Sequence, residues 1–209
     1  MEKILITGTG RSGTTFLIKL FSFLGYDTGY DRNNYGNFLY QPCNSGMEKS
    51  YKDNHYIMKS PEFIENIESI VNDESVSIKQ VIIPIRDYEL SAKSRVKNST
   101  HVACVLQRRE FDHMSRESKR TIITEQSPGG LWRAKSEKEQ VIFYRKIISN
   151  YMYFMTKYDI STIFLDFDRL VKDKIYLFDK LRDILDEKNI KFDSFSEVYD
   201  EVSLTSKPK

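Results

Sequence analysis

Apolar residues along the chain fall in short runs, each followed by a longer stretch with helical spacing. Residues 3–7, "KILIT", form such a run and end at a glycine-rich turn, while residues 13–24 behind it are apolar on nearly all sides. This predicts a buried strand followed by a helix deep in the fold. The order then repeats. "HYIMK" at 55–59 reads as a strand, and the helix after it carries Phe63, Ile64, Ile67, Ile70 and Val71, with Ser60 as its expected N-cap and Pro61 in its first turn. "VIIPI" leads in the same way into "RDYELSAKSRV". Further on, Ser136 and Glu139 have capping-box spacing and open a helix through Ile147, Ile148, Tyr151 and Phe154. "STIFLDF" reads as another strand, with a helix over 176–185. Short β-branched runs alternating with amphipathic helices predict an α/β fold of three layers, a parallel sheet flanked by helices.

Residues 97–135 depart from this rhythm. They are polar and basic without a strand-like run, and predict a helical or looped excursion within a single domain spanning 1–209. "SPGG" at 127–130 is a turn signal, and the final "TSKPK" reads as frayed.

Composition narrows the class. With 13 Tyr and 13 Phe the core is expected to be aromatic-rich. The 32 basic residues against 30 acidic ones leave a formal charge of +2, too balanced for bulk attraction to nucleic acid or anionic lipid. The longest apolar run, residues 16–24, is broken by Lys19 and Ser22 and is too short to span a bilayer. The first apolar stretch meets its glycine turn too early for a signal h-region, so a cytoplasmic location is expected. Cys43 and Cys104 belong to no CxxC pattern and read as free thiols; no clustered Cys or His spacing points to a metal. The pattern does not set an oligomeric state.

The first turn carries the chemistry. Gly8, Thr9, Gly10, Arg11, Ser12, Gly13, Thr14 and Thr15 fit GxxxxG followed by two threonines at a strand-to-helix junction, as in a P-loop. Glycines let successive backbone N–H groups converge on an anion, and the helix N-terminus adds partial positive charge. A Walker loop has Lys where Thr14 stands, to reach the outer phosphates of a triphosphate. Here the cation is Arg11, which suits one phosphate better than three.

"RSGTTFL" resembles the 5′-phosphosulfate loop of sulfotransferases that use 3′-phosphoadenosine-5′-phosphosulfate (PAPS). The resemblance implies that Arg11, Ser12, Gly13, Thr14 and Thr15 hold the 5′-phosphate. A second motif, "VIIPIRDYELSAKSR", is similar to that family's 3′-phosphate site, an Arg at a strand end and a Ser eight residues on; Arg86 and Ser94 have this spacing, although Asp87 and Tyr88 replace the usual Asn-Pro. Both groups suit phosphate oxygens. "FLDFDRLVKDKIYLFDKL" resembles the family's late strand and helix more faintly.

The implied reaction is in-line sulfuryl transfer from PAPS to an acceptor hydroxyl, leaving 3′-phosphoadenosine-5′-phosphate (PAP), with a small molecule or glycan as acceptor. "KSP" resembles the family's lysine segment and makes Lys59 the candidate to stabilise the leaving phosphate. For the general base the family's usage points first to Glu48, with Asp31 and His55 as competitors. Trp132, beside Arg133 and Lys135, reads either as part of a lid that stacks on the ligand or as a buried anchor. Arg108, Arg109, Arg116, Lys119 and Arg120 read either as an entrance for an anionic acceptor or as a solvated face. Two other readings stand beside the transferase. One is a P-loop kinase or NTPase with a degenerate Walker A loop, in which Asp166 would hold Mg²⁺; the other is a non-catalytic nucleotide-binding module.

Overall fold

The computed structural model describes residues 2–40, 44–107 and 129–205. Strand β1 (Glu2–Ile6) leads into helix α1 (Thr14–Phe23); β2 (Leu39–Tyr40) and β3 (Ser45–Gly46) form a small antiparallel hairpin after a 3₁₀ turn at Tyr35–Phe38. Then come β4 (Ile57–Lys59), α2 (Phe63–Val71), β5 (Ser77–Ile85), α3 (Tyr88–Gln107), α4 (Glu137–Lys157) and β6 (Thr162–Asp166). Four helices close the described chain: α5 (Phe167–Lys172), α6 (Lys174–Lys180), α7 (Arg182–Asp186) and α8 (Phe192–Thr205).

Strands β4, β1, β5 and β6 form one parallel sheet in that order, with Ile4 opposite Ile57 and Ile82 opposite both Ile6 and Ile163. Side chains alternate across it, as the period of two requires. Ile4, Ile6, Ile57, Ile82 and Leu165 turn toward α1 and the C-terminal helices; Leu5, Met58, Val81 and Ile83 turn toward α2, α3 and α4. Helices therefore cover both faces, and the short runs of buried aliphatics are explained by strands with no solvent side.

Several expectations are corrected. Helix α2 starts at Phe63 with Glu62 as its N-cap and no capping side chain of its own, so Ser60 and Pro61 lie ahead of it. Ser60 Oγ accepts from the Glu62 N–H at 3.2 Å, and Thr7 Oγ1, from the end of β1, accepts from the Ile64 N–H at 3.1 Å. The excursion expected from residue 97 begins as an unbroken continuation of α3 to Gln107. Residues 108–128, with Arg108, Arg109, Arg116, Lys119 and Arg120, lie outside the described residues, as does Cys43. The single helix expected over 176–185 is two, α6 starting at Lys174 and α7 at Arg182, with the break at Leu181. Asp166 and Asp173 cap the starts of α5 and α6 by accepting from Arg169 N and Tyr176 N at 2.8 and 2.9 Å. Among the described residues no helix is long and apolar enough to cross a membrane.

Candidate functional site

The loop between β1 and α1 turns through Gly8, Gly10, Arg11 and Gly13, all at positive φ (152°, 70°, 58° and 98°). For Arg11 this is a sparsely populated conformation, of the kind that clusters at binding sites. Gly10 is required sterically as well: a Cβ there would lie 2.1 Å from Arg95 Nη2. The turn delivers the chain to Thr14, where α1 begins with no side chain capping it. Thr9 Oγ1 and Ser12 Oγ are buried, and neither finds a hydrogen-bond partner among the described residues. Buried hydroxyls at an uncapped helix N-terminus are groups that an anion would satisfy.

Cationic side chains meet at this loop. Arg11 Nε donates to Ser94 Oγ at 3.2 Å. Arg86, just past β5, donates from Nη1 to the Arg11 carbonyl at 3.1 Å, and its guanidinium stands 4.5 Å from the Phe167 ring centre. Residues read separately as two phosphate motifs are thus in direct contact. Their meeting place is the carboxyl end of the sheet between β1 and β5, where the chain, having gone from β1 to β4 on one side, crosses to the other. Open α/β sheets form their ligand crevices at such reversals of strand order.

Lys59 ends β4 and is buried. Its ammonium donates to the Gly46 carbonyl at 2.7 Å and to Glu48 Oε1 at 2.5 Å. Burial is the main influence on its pKa and lowers it; Glu48 opposes the shift, while Arg11 and Arg95 add to it. Gly46 presents its carbonyl from the hairpin at φ 114°, where any side chain would strike the Phe38 carbonyl at 2.1 Å. Glu48 is 44% exposed in its side chain and reaches the ammonium from the solvent side. The two competitors for the base are engaged elsewhere. Asp31 Oδ1 accepts from the Asn33 and Asn34 N–H groups at 2.7 and 2.9 Å, and His55 Nδ1 pairs with Asp27 Oδ1 at 2.8 Å.

Arg95 was not singled out by the sequence, yet it is buried beneath the loop. Its Nη2 donates to the Thr9 carbonyl at 3.2 Å, Nε to the Tyr144 hydroxyl at 2.6 Å, and Nη1 to the Gly130 carbonyl. All three acceptors are uncharged. The available signal is the spacing of Ser91, Ala92, Arg95 and Ser99, which share one buried face of α3. Small residues on that face leave room for a guanidinium. Trp132 lies against this arginine, 5.4 Å from its guanidinium carbon, and edge-on to Phe143 with ring centres 5.1 Å apart. Its backbone N–H donates to Gln140 Oε1 at 2.7 Å, and its side chain is partly buried. Arg133 pairs with Glu65 at 3.0 Å, and the Lys135 N–H donates to Glu139.

Asp166, the candidate Mg²⁺ ligand of the kinase reading, caps α5 and ends β6, which pairs with β5 rather than β1. Compared with models of protein families, with curated proteins and with solved structures, the chain has no significant match.

Proposed function

We propose that the chain is a sulfotransferase of P-loop-like architecture that moves a sulfuryl group from PAPS to an acceptor hydroxyl. The contact between Arg11 and Ser94 carries this reading, because it joins a loop suited to one phosphate with an Arg and Ser pair suited to another. A donor with separate 5′- and 3′-phosphates matches two such sites better than a triphosphate does. The occupied Asp166 carboxylate gives the kinase reading no comparable support.

In this reading Arg11, Ser12, Gly13, Thr14 and Thr15 hold the 5′-phosphate, and Arg86 and Ser94 the 3′-phosphate. The acceptor oxygen attacks sulfur as the bond from sulfur to the bridging phosphate oxygen breaks. The electron pair of that bond leaves with PAP, and the acceptor proton passes to Glu48. Lys59 stabilises the charge growing on the bridging oxygen, a contribution of roughly 3 kcal/mol if it resembles other preorganised oxyanion contacts. Its present bond to Glu48 has a consequence: an arriving donor offers the ammonium another anion and releases the carboxylate to act as base. Phe38, half exposed and 5.1 Å ring to ring from Tyr30, lies near Glu48, and such an aromatic surface suits a carbohydrate acceptor.

Calorimetric titration with PAP, run beside Mg²⁺-ATP on the wild type and on Arg86→Ala, tests the donor site. Binding of PAP over ATP, weakened in Arg86→Ala, is expected. A preference for Mg²⁺-ATP with Arg86→Ala silent would overturn the reading in favour of a kinase. PAP binding without PAPS consumption over a panel of carbohydrate acceptors, and without any effect of Glu48→Gln, would leave a nucleotide-binding module.

A further inference from the structure

Arg95 lies between two parts of the molecule that are distant in sequence. On one side its guanidinium holds the Thr9 carbonyl of the anion loop, in space kept open by the missing side chain of Gly10. On the other it holds the Gly130 carbonyl and stands over the indole of Trp132, while its Nε donates to Tyr144 on α4. The nearby segment is tied down further, since the Leu131 N–H donates to Ser99 Oγ at 2.8 Å and the Trp132 N–H to Gln140. Among the described residues this buried cation has three neutral acceptors and no carboxylate bond. An anion in the loop, whose Thr9 carbonyl Arg95 already holds, would supply it a counter-charge.

We propose that Arg95 is a positioning residue that couples occupancy of the anion loop to the Trp132 segment. This rests on the reading of residues 8–15 as an anion site, but not on the reaction assigned to it. A bound anion draws the loop amides and the Arg95 charge toward itself, and the same rigid guanidinium transmits the change to Gly130 and the indole. Arg11, Arg86 and Ser94 hold the ligand directly, whereas Arg95 sets the loop that they hold it against. Coupling of this kind is reciprocal, so a change at Trp132 must also alter anion affinity.

The chain has a single tryptophan, which makes the test direct. Inorganic phosphate is titrated into the wild-type protein while Trp132 fluorescence is followed, with calorimetry run in parallel; phosphate carries no base that could quench the indole by stacking. The expected result is an emission change that saturates with calorimetric occupancy. Arg95→Lys should retain phosphate binding to within about tenfold, because the charge remains, and lose the emission change, because one ammonium cannot replace the planar fork.

Bound phosphate with silent fluorescence in the wild type would overturn the proposal, and so would a full emission change in Arg95→Lys. Should Arg95→Lys fail to fold, Trp132→Leu tests the linkage from the other end: affinity falls roughly threefold if the two are coupled and is unchanged if they are not. If neither phosphate nor PAP binds the wild type, the anion site itself falls and the proposal with it. That outcome is distinct from binding without coupling.

Discussion

Lys59 carries an ammonium into the interior, held by one carboxylate and one carbonyl. Burial lowers its pKa, so over the interval between that lowered value and the ordinary one the unfolded chain binds a proton that the folded chain has released. Stability therefore rises with pH across this interval and is lower beneath it. Glu48→Gln removes the influence that opposes the shift, which moves the start of the rise to lower pH. At neutral pH the substitution is expected to cost about 1 kcal/mol rather than the larger sum of a fully buried pair, because Glu48 is substantially exposed. Urea denaturation of both proteins at stepped pH measures both effects. A pH profile identical to wild type would show that the carboxylate does not govern Lys59. At this scale Arg86 and Lys59 could be picked out because each adjoins a strand end, where side chains converge on a crevice, and Arg11 because it lies in the glycine-rich turn after β1. Arg95 stayed hidden because its neighbours Ser91, Ala92 and Ser99 read as an ordinary mixed helix; only the packing of α3 on α4 reveals that this polar face is interior.

Among the elements, α1 contains a further buried cation. Lys19 is fully buried, donates to Thr205 Oγ1 at 2.9 Å, and lies 4.9 Å from the Tyr35 ring centre. Burial depresses its pKa to about 8, against a weaker opposing influence from Glu201. The folded value lies below the unfolded one. Stability is consequently expected to climb as pH rises from about 8 to 10.5, by an amount of order 3 kcal/mol at most. Lys19→Met should remove the Lys19 share of that climb, leaving the part that Lys59 contributes, and raise stability near pH 7 by about 1–2 kcal/mol, the burial cost less the ammonium's lost interactions, the bond to Thr205 among them. Thermal unfolding of the two proteins at pH 7 and pH 10 decides the matter. In the loop ahead of α1, Gly10→Ala combines an adverse φ with a clash against Arg95, and a loss of about 1–3 kcal/mol is expected in denaturant titration. The main strands, α2 and α4 were legible because apolar spacing announces them, and α1 because it is apolar on nearly all sides. The β2–β3 hairpin was not, since two-residue strands have no period to detect. Helix α8 was missed for a different reason: its buried positions Phe195, Tyr199 and Val202 are spaced correctly but embedded in "DSFSEVYDEVS", whose charge resembles a solvated tail.

In the whole molecule, the sheet order brings the ends of β1, β4 and β5 together and so collects positive charge at one edge. Arg11, Arg86 and Arg95 all act on the Tyr144 phenol, whose pKa burial raises while these cations oppose the rise; Arg11 and Arg95 also act on Lys59. Like charges held this close repel one another in the folded chain and are relieved on unfolding. An anion that binds among them should stabilise the fold twice over, by its own contacts and by removing the repulsion. Mass action sets the scale: PAP at about a hundred times its Kd adds roughly 2.7 kcal/mol, which for a chain of this size corresponds to a melting shift of about 5–10 °C. Mg²⁺-ATP at equal concentration should give a smaller shift, because its phosphates form one chain whereas the proposed reading gives the protein two separate phosphate sites. Arg86→Ala should reduce the PAP shift while leaving most of the response to inorganic phosphate, since in the proposed reading Arg86 belongs to the 3′-phosphate site and the loop with Arg11 to the 5′-phosphate site. Differential scanning fluorimetry on the two proteins with the three ligands resolves these cases. Equal losses for PAP and phosphate in Arg86→Ala would mean that Arg86 supports the loop through its bond to the Arg11 carbonyl and holds no phosphate of its own.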